Sequence, residues 1–277
     1  MGHWSHGYLI STGSSFSHKS DSLASAHINM VNAYKMFKNY WSRFVKLIAR
    51  LSGLKEQRAH HFYPGMLGCN SLVVDLGAHK GEFAQFITSE YECSVLGLEA
   101  NTQLFQALPT LPRVKFLNLA INREDAPIVF HVSENPEASS VFEDVAQATG
   151  GLTKVSVEGI TLDSLLKKHT ITSVDLLKVD IESAEFQMLE LASEETLNKI
   201  NQITVEFHVR DGHAEYSADR VLTLSQRLER LGFRTFVMDR KYTDVLFLRT
   251  SRIPWHFTER LAMAVYRFLV MPAREIF

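Results

Sequence analysis

"VVDLGAHKGEF", residues Val73–Phe83, reads as a strand, a glycine-bearing turn and the start of a helix. Leu72–Val74 is a short apolar run rich in β-branched residues, the composition of a buried strand, and it ends at an acid, Asp75. Gly77 and Gly81 bracket a turn in which the backbone has to pass close to something. Phe83–Ile87 then resumes as the start of a helix packing back on the strand. A strand, a glycine loop and a helix in this order form the ligand-binding corner of many doubly wound folds.

From Ser71 onward the chain keeps alternating. Ser94–Glu99 and Val114–Ile121 read as strands around a short helix at Thr102–Leu108. Ile128–Val132 and Lys154–Val157 are short strands, and Thr161–His169 is a helix with Asp163 in its first turn. Asp175–Ile181 and Ile203–His208 are two more buried strands, with a helix at Ala184–Ala192 between them. Ala218–Leu231 is amphipathic and closed by Gly232, and Arg234–Met238 and Asp244–Leu248 flank a hairpin turn. This pattern predicts an α/β fold, Rossmann-like, whose sheet is mostly parallel with an antiparallel strand at or near one edge.

Outside residues 71–250 the text changes. Residues 1–25 are rich in Ser, His and Gly and read as a mobile tail. Residues 26–60 read as an amphipathic helical segment: Met30, Tyr34, Phe37, Trp41, Phe44, Ile48 and Leu51 make one apolar stripe, with Lys35, Lys38, Arg43, Lys46 and Arg50 off it. Such a stripe ordinarily caps a domain; the alternative is peripheral contact with an anionic membrane or a partner. Residues 251–277 read as a helical extension suited to core packing, or to a homodimer contact or a membrane-facing patch.

Composition sets the outer bounds. The 277 residues are 45% hydrophobic and 22% charged with a formal net charge of −2, a balance that argues against a nucleic-acid partner for the whole molecule. Cys69 and Cys93 have neither metal-ligand spacing nor disulfide density, so a cytoplasmic location is expected. No apolar run approaches a membrane span, the start lacks a secretory apolar stretch, and His6 stands where an acylation motif wants Ser or Thr.

The loop chemistry narrows the cofactor. Gly77-Ala-His-Lys-Gly81 lacks the Gly-x-Gly-x-x-Gly spacing of dinucleotide loops, which disfavours a nicotinamide-dependent dehydrogenase, and it lacks the Gly-Lys-Ser/Thr of a phosphate cradle. Glu82 at the helix start would repel a phosphate. S-adenosylmethionine, which carries no phosphate, fits better. Glu99, ending the next strand about 20 residues on, is placed to accept hydrogen bonds from both ribose hydroxyls. At two later strand ends stand Asp180, Glu182 and Glu185, and Glu206 and His208. Ligands in open α/β sheets bind outside the carboxyl ends of the strands, so these side chains are expected to converge near the glycine loop.

Five ordered segments then resemble the FkbM family of S-adenosylmethionine-dependent methyltransferases, over roughly residues 71–248. Asp75-Leu-Gly-Ala-His-Lys-Gly81 is similar to the family's Asp-x-Gly-Ala-Asn-x-Gly, and Leu98-Glu-Ala-Asn101 to its Phe-Glu-Pro-Asn. Thr161-Leu-Asp163 resembles its Thr-Leu-Asp. Lys178-Val-Asp-Ile-Glu-Ser-Ala-Glu185 resembles Lys-x-Asp-x-Glu-Gly-x-Glu, and Glu206-Phe-His208 its closing Glu-x-His. His79, Ala100 and Ser183 depart from the family's Asn, Pro and Gly. The resemblance implies a class I methyltransferase fold in which Asp75, Gly77, Ala78, His79, Gly81, Glu99, Ala100 and Asn101 hold the cofactor. It also implies O-methyl transfer to a hydroxyl of a small molecule, sugar or glycan, or polyketide-type acceptor.

An alcohol is a poor nucleophile while protonated, so a base is expected, and His208 and Asp180 are the candidates. Asp180, Glu206 and His208 are alternatively placed to hold a divalent ion such as Mg²⁺ that acidifies the acceptor. The competing reading is a non-catalytic binding module that keeps the fold and uses its basic helix as an anchor.

Overall fold

The computed structural model describes residues 36, 40, 43–44, 47–48, 50–133, 152–210, 212–239, 241–253 and 256–265. The chain separates into two units, Met1–Ile48 and Ala49–Phe277. In the first unit the described residues, 36, 40, 43–44 and 47–48, are helical. Of that stripe Phe44, Ile48 and Leu51 fall among the described residues. The tail at residues 1–25 and the end of the chain from 266 lie outside them.

The second unit opens with a correction to the expected boundary of the helical segment. Residues 55–62 are a hairpin, β1 (Lys55–Gln57) against β2 (His60–Phe62). Its two-residue turn, Arg58-Ala59, has both φ angles positive, at 50° and 58°. Glycine or asparagine normally takes such positions, which is why the sequence gives no hairpin signal here.

A seven-stranded sheet follows. Its members are β3 (Leu72–Leu76), β4 (Ser94–Leu98), β5 (Val114–Leu117), β10 (Leu176–Val179), β11 (Gln202–Glu206), β12 (Arg234–Val237) and β13 (Asp244–Leu248). Between β5 and β10 lie two small pairs, β6 (Ala120–Ile121) with β9 (Gly159–Ile160) and β7 (Ile128–Ser133) with β8 (Leu152–Val157). The order across the main sheet is β12-β13-β11-β10-β3-β4-β5. All pairings from β11 to β5 are parallel, and β13 runs antiparallel to both β11 and β12. The reversed strand is therefore second from the edge, as the alternation predicts.

The helices are α1 (Glu82–Tyr91), α2 (Thr102–Gln106), α3 (Leu162–Lys168), α4 (Glu185–Leu191), α5 (Glu194–Asn198), α6 (Ala218–Arg230) and α7 (Phe257–Val265). Side chains alternate across a strand, so each strand feeds two cores. Val73, Val95 and Leu176 pack with Phe83, Ala84 and Ile87 of α1 and with Phe62 of the hairpin. Val74, Leu76, Leu96, Leu177 and Val179 pack on the other face with apolar residues of α3, α4 and α6. The chain direction reverses at β3, where β4 goes one way and β10 the other, and a crevice opens there at the carboxyl ends. Cys69 and Cys93 are free thiols, and no helix among the described residues is long and apolar enough to cross a membrane.

Candidate active site

The glycine loop is fixed from both sides. Leu98 O, at the end of β4, accepts the N–H groups of Gly77 and Ala78 at 3.0 and 2.8 Å. From the other side Lys178 Nζ donates to Gly77 O at 2.7 Å. Gly77 has φ 83°, and a Cβ there would lie 1.8 Å from the Asp180 carbonyl oxygen. No other residue fits. His79 also has positive φ, at 51°. Asn and His are both among the residues that tolerate the left-handed region, so His79 keeps the conformation that the family's Asn would have.

Glu99 closes the loop beneath. Its Oε2 accepts the His79 N–H at 2.6 Å and its Oε1 the Asn101 N–H at 2.8 Å. Burial pushes its carboxyl up to about 7, against the pull of those two donors. Asn101 caps α2, its Oδ1 accepting from the Gln103 N–H at 3.0 Å. Gly77, Ala78, His79, Glu99, Ala100 and Asn101 all line one cavity of about 600 Å³.

Lys178 is the buried cation at the centre. A lysine inside the apolar run Leu176–Val179 needs a counter-charge, and it has two. Its Nζ lies 3.3 Å from Asp75 Oδ1 and 3.6 Å from Asp180 Oδ2. Burial alone would lower the lysine's pKa, but Asp75 and Asp180 raise it instead. Burial would likewise raise Asp180, yet Lys178 and then His60 hold it below the usual carboxylate range. For Asp75, burial prevails and its pKa rises.

His208 sits in a carboxylate clamp. Its Nδ1 is 3.0 Å from Glu185 Oε1 and its Nε2 is 3.1 Å from Glu182 Oε2. Burial opposes the charged ring, but the two carboxylates raise its pKa well above the ordinary value, so it is an imidazolium at neutral pH. Glu185 Oε1 also accepts the N–H groups of Ile181 and Ser183 at 3.1 and 3.0 Å. It thereby holds the turn after β10, where Glu182 and Ser183 have φ of 53° and 83°. Beside the clamp, burial and then the Asp180 charge push the Glu206 carboxyl up to about 7.

Asp180, Glu206 and His208 thus meet on the cavity wall, with Glu182 beside them. Asp75 and Gly81 do not reach that wall. Asp75 is fully buried behind Lys178, and Gly81, with φ 75°, begins α1. His208, expected as a base, stands on the cavity wall with both ring nitrogens facing carboxylates.

Wall residues given no role from sequence include Lys178, His60 and Arg58. A charge within "LLKV" was the available signal for the first. His60 and Arg58 arrive on the hairpin, which carried no signal. His60 is buried, its Nδ1 3.4 Å from Thr204 Oγ1, and burial lowers its pKa, leaving the ring neutral. Arg58 pairs with Glu82 at the start of α1.

A sheet ordered 3-2-1-4-5-7-6 along the main strands, with a carboxyl-end cavity walled by a glycine loop and strand-end acids, defines the class I methyltransferase fold. The chain belongs to the methyltransferase FkbM domain family, whose pattern it matches over residues 75–235, more than half its length. No curated protein matches the sequence. Among solved structures, WbdD bound to a kinase inhibitor is similar over 64% of this chain and 35% of its own, at 10% identity and a TM-score of 0.35. The chain therefore corresponds to about a third of that protein. A methyltransferase from Aquifex aeolicus matches 66% of this chain and 82% of its own, at 12% identity and a TM-score of 0.30. A TehB-like methyltransferase from Corynebacterium glutamicum matches 81% and 97%, at 12% identity and a TM-score of 0.29. The fold class rests on the strand order.

Proposed function

We propose that this protein transfers a methyl group from S-adenosylmethionine to a hydroxyl of a small-molecule, sugar or polyketide-type acceptor. The observation that carries the reading is one shared cavity of about 600 Å³, with the Gly77 loop and Glu99 on one side and Asp180 and Glu206 on the other. The residues suit such a cofactor. Glu99 offers a carboxylate for the ribose hydroxyls, and Gly77 lets the loop close against the Asp180 carbonyl so that both strand ends line one cavity.

When bound, S-adenosylmethionine supplies an electrophilic methyl group on a sulfonium. The chain's own part is to hold an acceptor oxygen in line with that methyl, exclude water and receive the hydroxyl proton. Asp180 and Glu206, at the ends of neighbouring strands β10 and β11, stand on the cavity wall as the groups to receive that proton. His208, an imidazolium between Glu182 and Glu185, serves as a fixed positive charge beside them. It keeps the strand-end acids of β10 from repelling one another.

The test is methyl transfer from labelled S-adenosylmethionine to a panel of hydroxylated acceptors, alongside calorimetry with the cofactor. Transfer that disappears in Glu206→Gln while cofactor affinity stays the same is expected. A chain that binds no S-adenosylmethionine overturns the reading. A chain that binds it and methylates nothing supports the binding-module alternative.

A further inference from the structure

Two groups of side chains at the carboxyl ends of β10 and β11 hold potential metal-donor atoms within 4.8 Å of one another: His60, Asp180 and Glu206, and Asp180, Glu182 and His208. The second group is satisfied internally. Each ring nitrogen of its histidine faces a carboxylate, at 3.0 and 3.1 Å, so both are already engaged.

The first group differs. His60 is 1% exposed, and its Nε2 has no hydrogen-bond partner although it points into the cavity towards Asp180 Oδ2, 3.9 Å away. A buried ring nitrogen without a partner is rare, and this one lies within 4.8 Å of carboxylate oxygens of both Asp180 and Glu206. The donor types point to which occupant. The His60 ring nitrogen and one carboxylate oxygen each from Asp180 and Glu206 lie within 4.8 Å of one another, a one-nitrogen, two-oxygen set suited to a divalent cation.

We propose that His60, Asp180 and Glu206 bind one first-row divalent cation, best matched by Mn²⁺, at the acceptor end of the cavity. Mg²⁺ and Ca²⁺ favour all-oxygen shells, whereas a set of one imidazole and two carboxylates suits Mn²⁺ and its neighbours. Donors about 2.1 Å from a common ion can stand up to about 4.2 Å apart, so the 3.9 Å gap between His60 and Asp180 is one that an ion can span. The nitrogen ligand is therefore His60 of the hairpin, not His208 of the closing Glu-x-His. The site stands on its own geometry. Its role, lowering the pKa of an acceptor oxygen, rests on the methyl-transfer reading.

The experiment is titration of the full chain with Mn²⁺ alone, followed by calorimetry and by electron paramagnetic resonance. A single bound Mn²⁺ with a coordinated-nitrogen signature is expected, the signature vanishing in His60→Ala and persisting in His208→Gln. Affinity should fall at least about tenfold in Glu206→Gln, as for loss of groups that support a metal. Absence of binding by the wild type overturns the proposal, as does a nitrogen signature that depends on His208 instead of His60. Should His60→Ala fail to fold, Asp180→Asn and Glu206→Gln decide, and undiminished Mn²⁺ affinity in both overturns it. Methyl transfer that is indifferent to EDTA, by a chain that binds no Mn²⁺, sinks this site and leaves the methyl-transfer reading intact. Mn²⁺ binding without methyl transfer does the reverse.

Discussion

Oε1 of Glu185 lies 3.0 Å from Nδ1 of His208, and the Glu185 carboxylate has no exposed surface. The same oxygen holds the backbone at Ile181 and Ser183, so one buried acid fixes both the imidazolium and the turn after β10. Removing one partner of a buried charge pair leaves the other unpaired. Glu185→Ala should therefore destabilise the protein by about 3–5 kcal/mol in denaturant titration. A loss well under 1 kcal/mol would show that the clamp does not form.

Ser183 is 2% exposed, has φ 83° and keeps its hydroxyl buried without a partner. The family's glycine at this position suits that backbone. Ser183→Gly should raise stability by about 1 kcal/mol, the strain of a non-glycine residue in the left-handed region less the added freedom of the unfolded chain. The midpoint of denaturation is the readout, and a lower midpoint contradicts the strain.

Gly77 tolerates nothing larger. A Cβ at 77 would stand 1.8 Å from the Asp180 carbonyl oxygen, a backbone atom that cannot swing aside. Gly77→Ala is expected to cost about 3 kcal/mol or more and to displace β10 from the loop, with weaker cofactor binding. Unchanged melting temperature and affinity would remove the close approach from the account.

Glu99 sets a pH dependence. In the proposed role its ionised carboxylate would accept from ribose hydroxyls, and burial has raised its pKa from 4.5 to about 7. Cofactor affinity should accordingly increase as pH rises through about 7 and level off above it, with proton release on binding near neutrality. Stability of the free protein has the opposite trend from this group. A raised carboxyl pKa contributes fully below 4.5 and is lost as pH climbs through about 7. Glu99→Gln should flatten both profiles, and Glu99→Ala should weaken binding by about 1.5–3 kcal/mol. Calorimetry in buffers of different ionisation heat checks the proton release, and identical profiles in wild type and Glu99→Gln contradict the assignment.

Much of the site was readable one segment at a time. Gly77, Glu99, Asp180 and Glu206 could be placed because each ends or follows a strand whose apolar alternation is written in the chain, and parallel strands carry such ends to one edge of a sheet. The pairing of Asp75 with Lys178 was not readable, because a strand-end acid looks the same in sequence whether it meets ligand or a buried lysine. His60 was invisible, since Arg58-Ala59 turns the hairpin without the glycine or asparagine that announces such a turn.

The sequence by itself determined the order of the strands' chemistry: which residues alternate into the two cores, where the loop must be glycine, and which acids stand at strand ends. These depend on neighbours along the chain, through backbone sterics and side-chain periodicity. Only the tertiary structure decided the charge states and partnerships: Lys178 between Asp75 and Asp180, His208 as a cation, His60 as a neutral ring facing two carboxylates. Desolvation and Coulomb interaction act through space, and the groups that matter to His60 lie more than a hundred residues further along the chain.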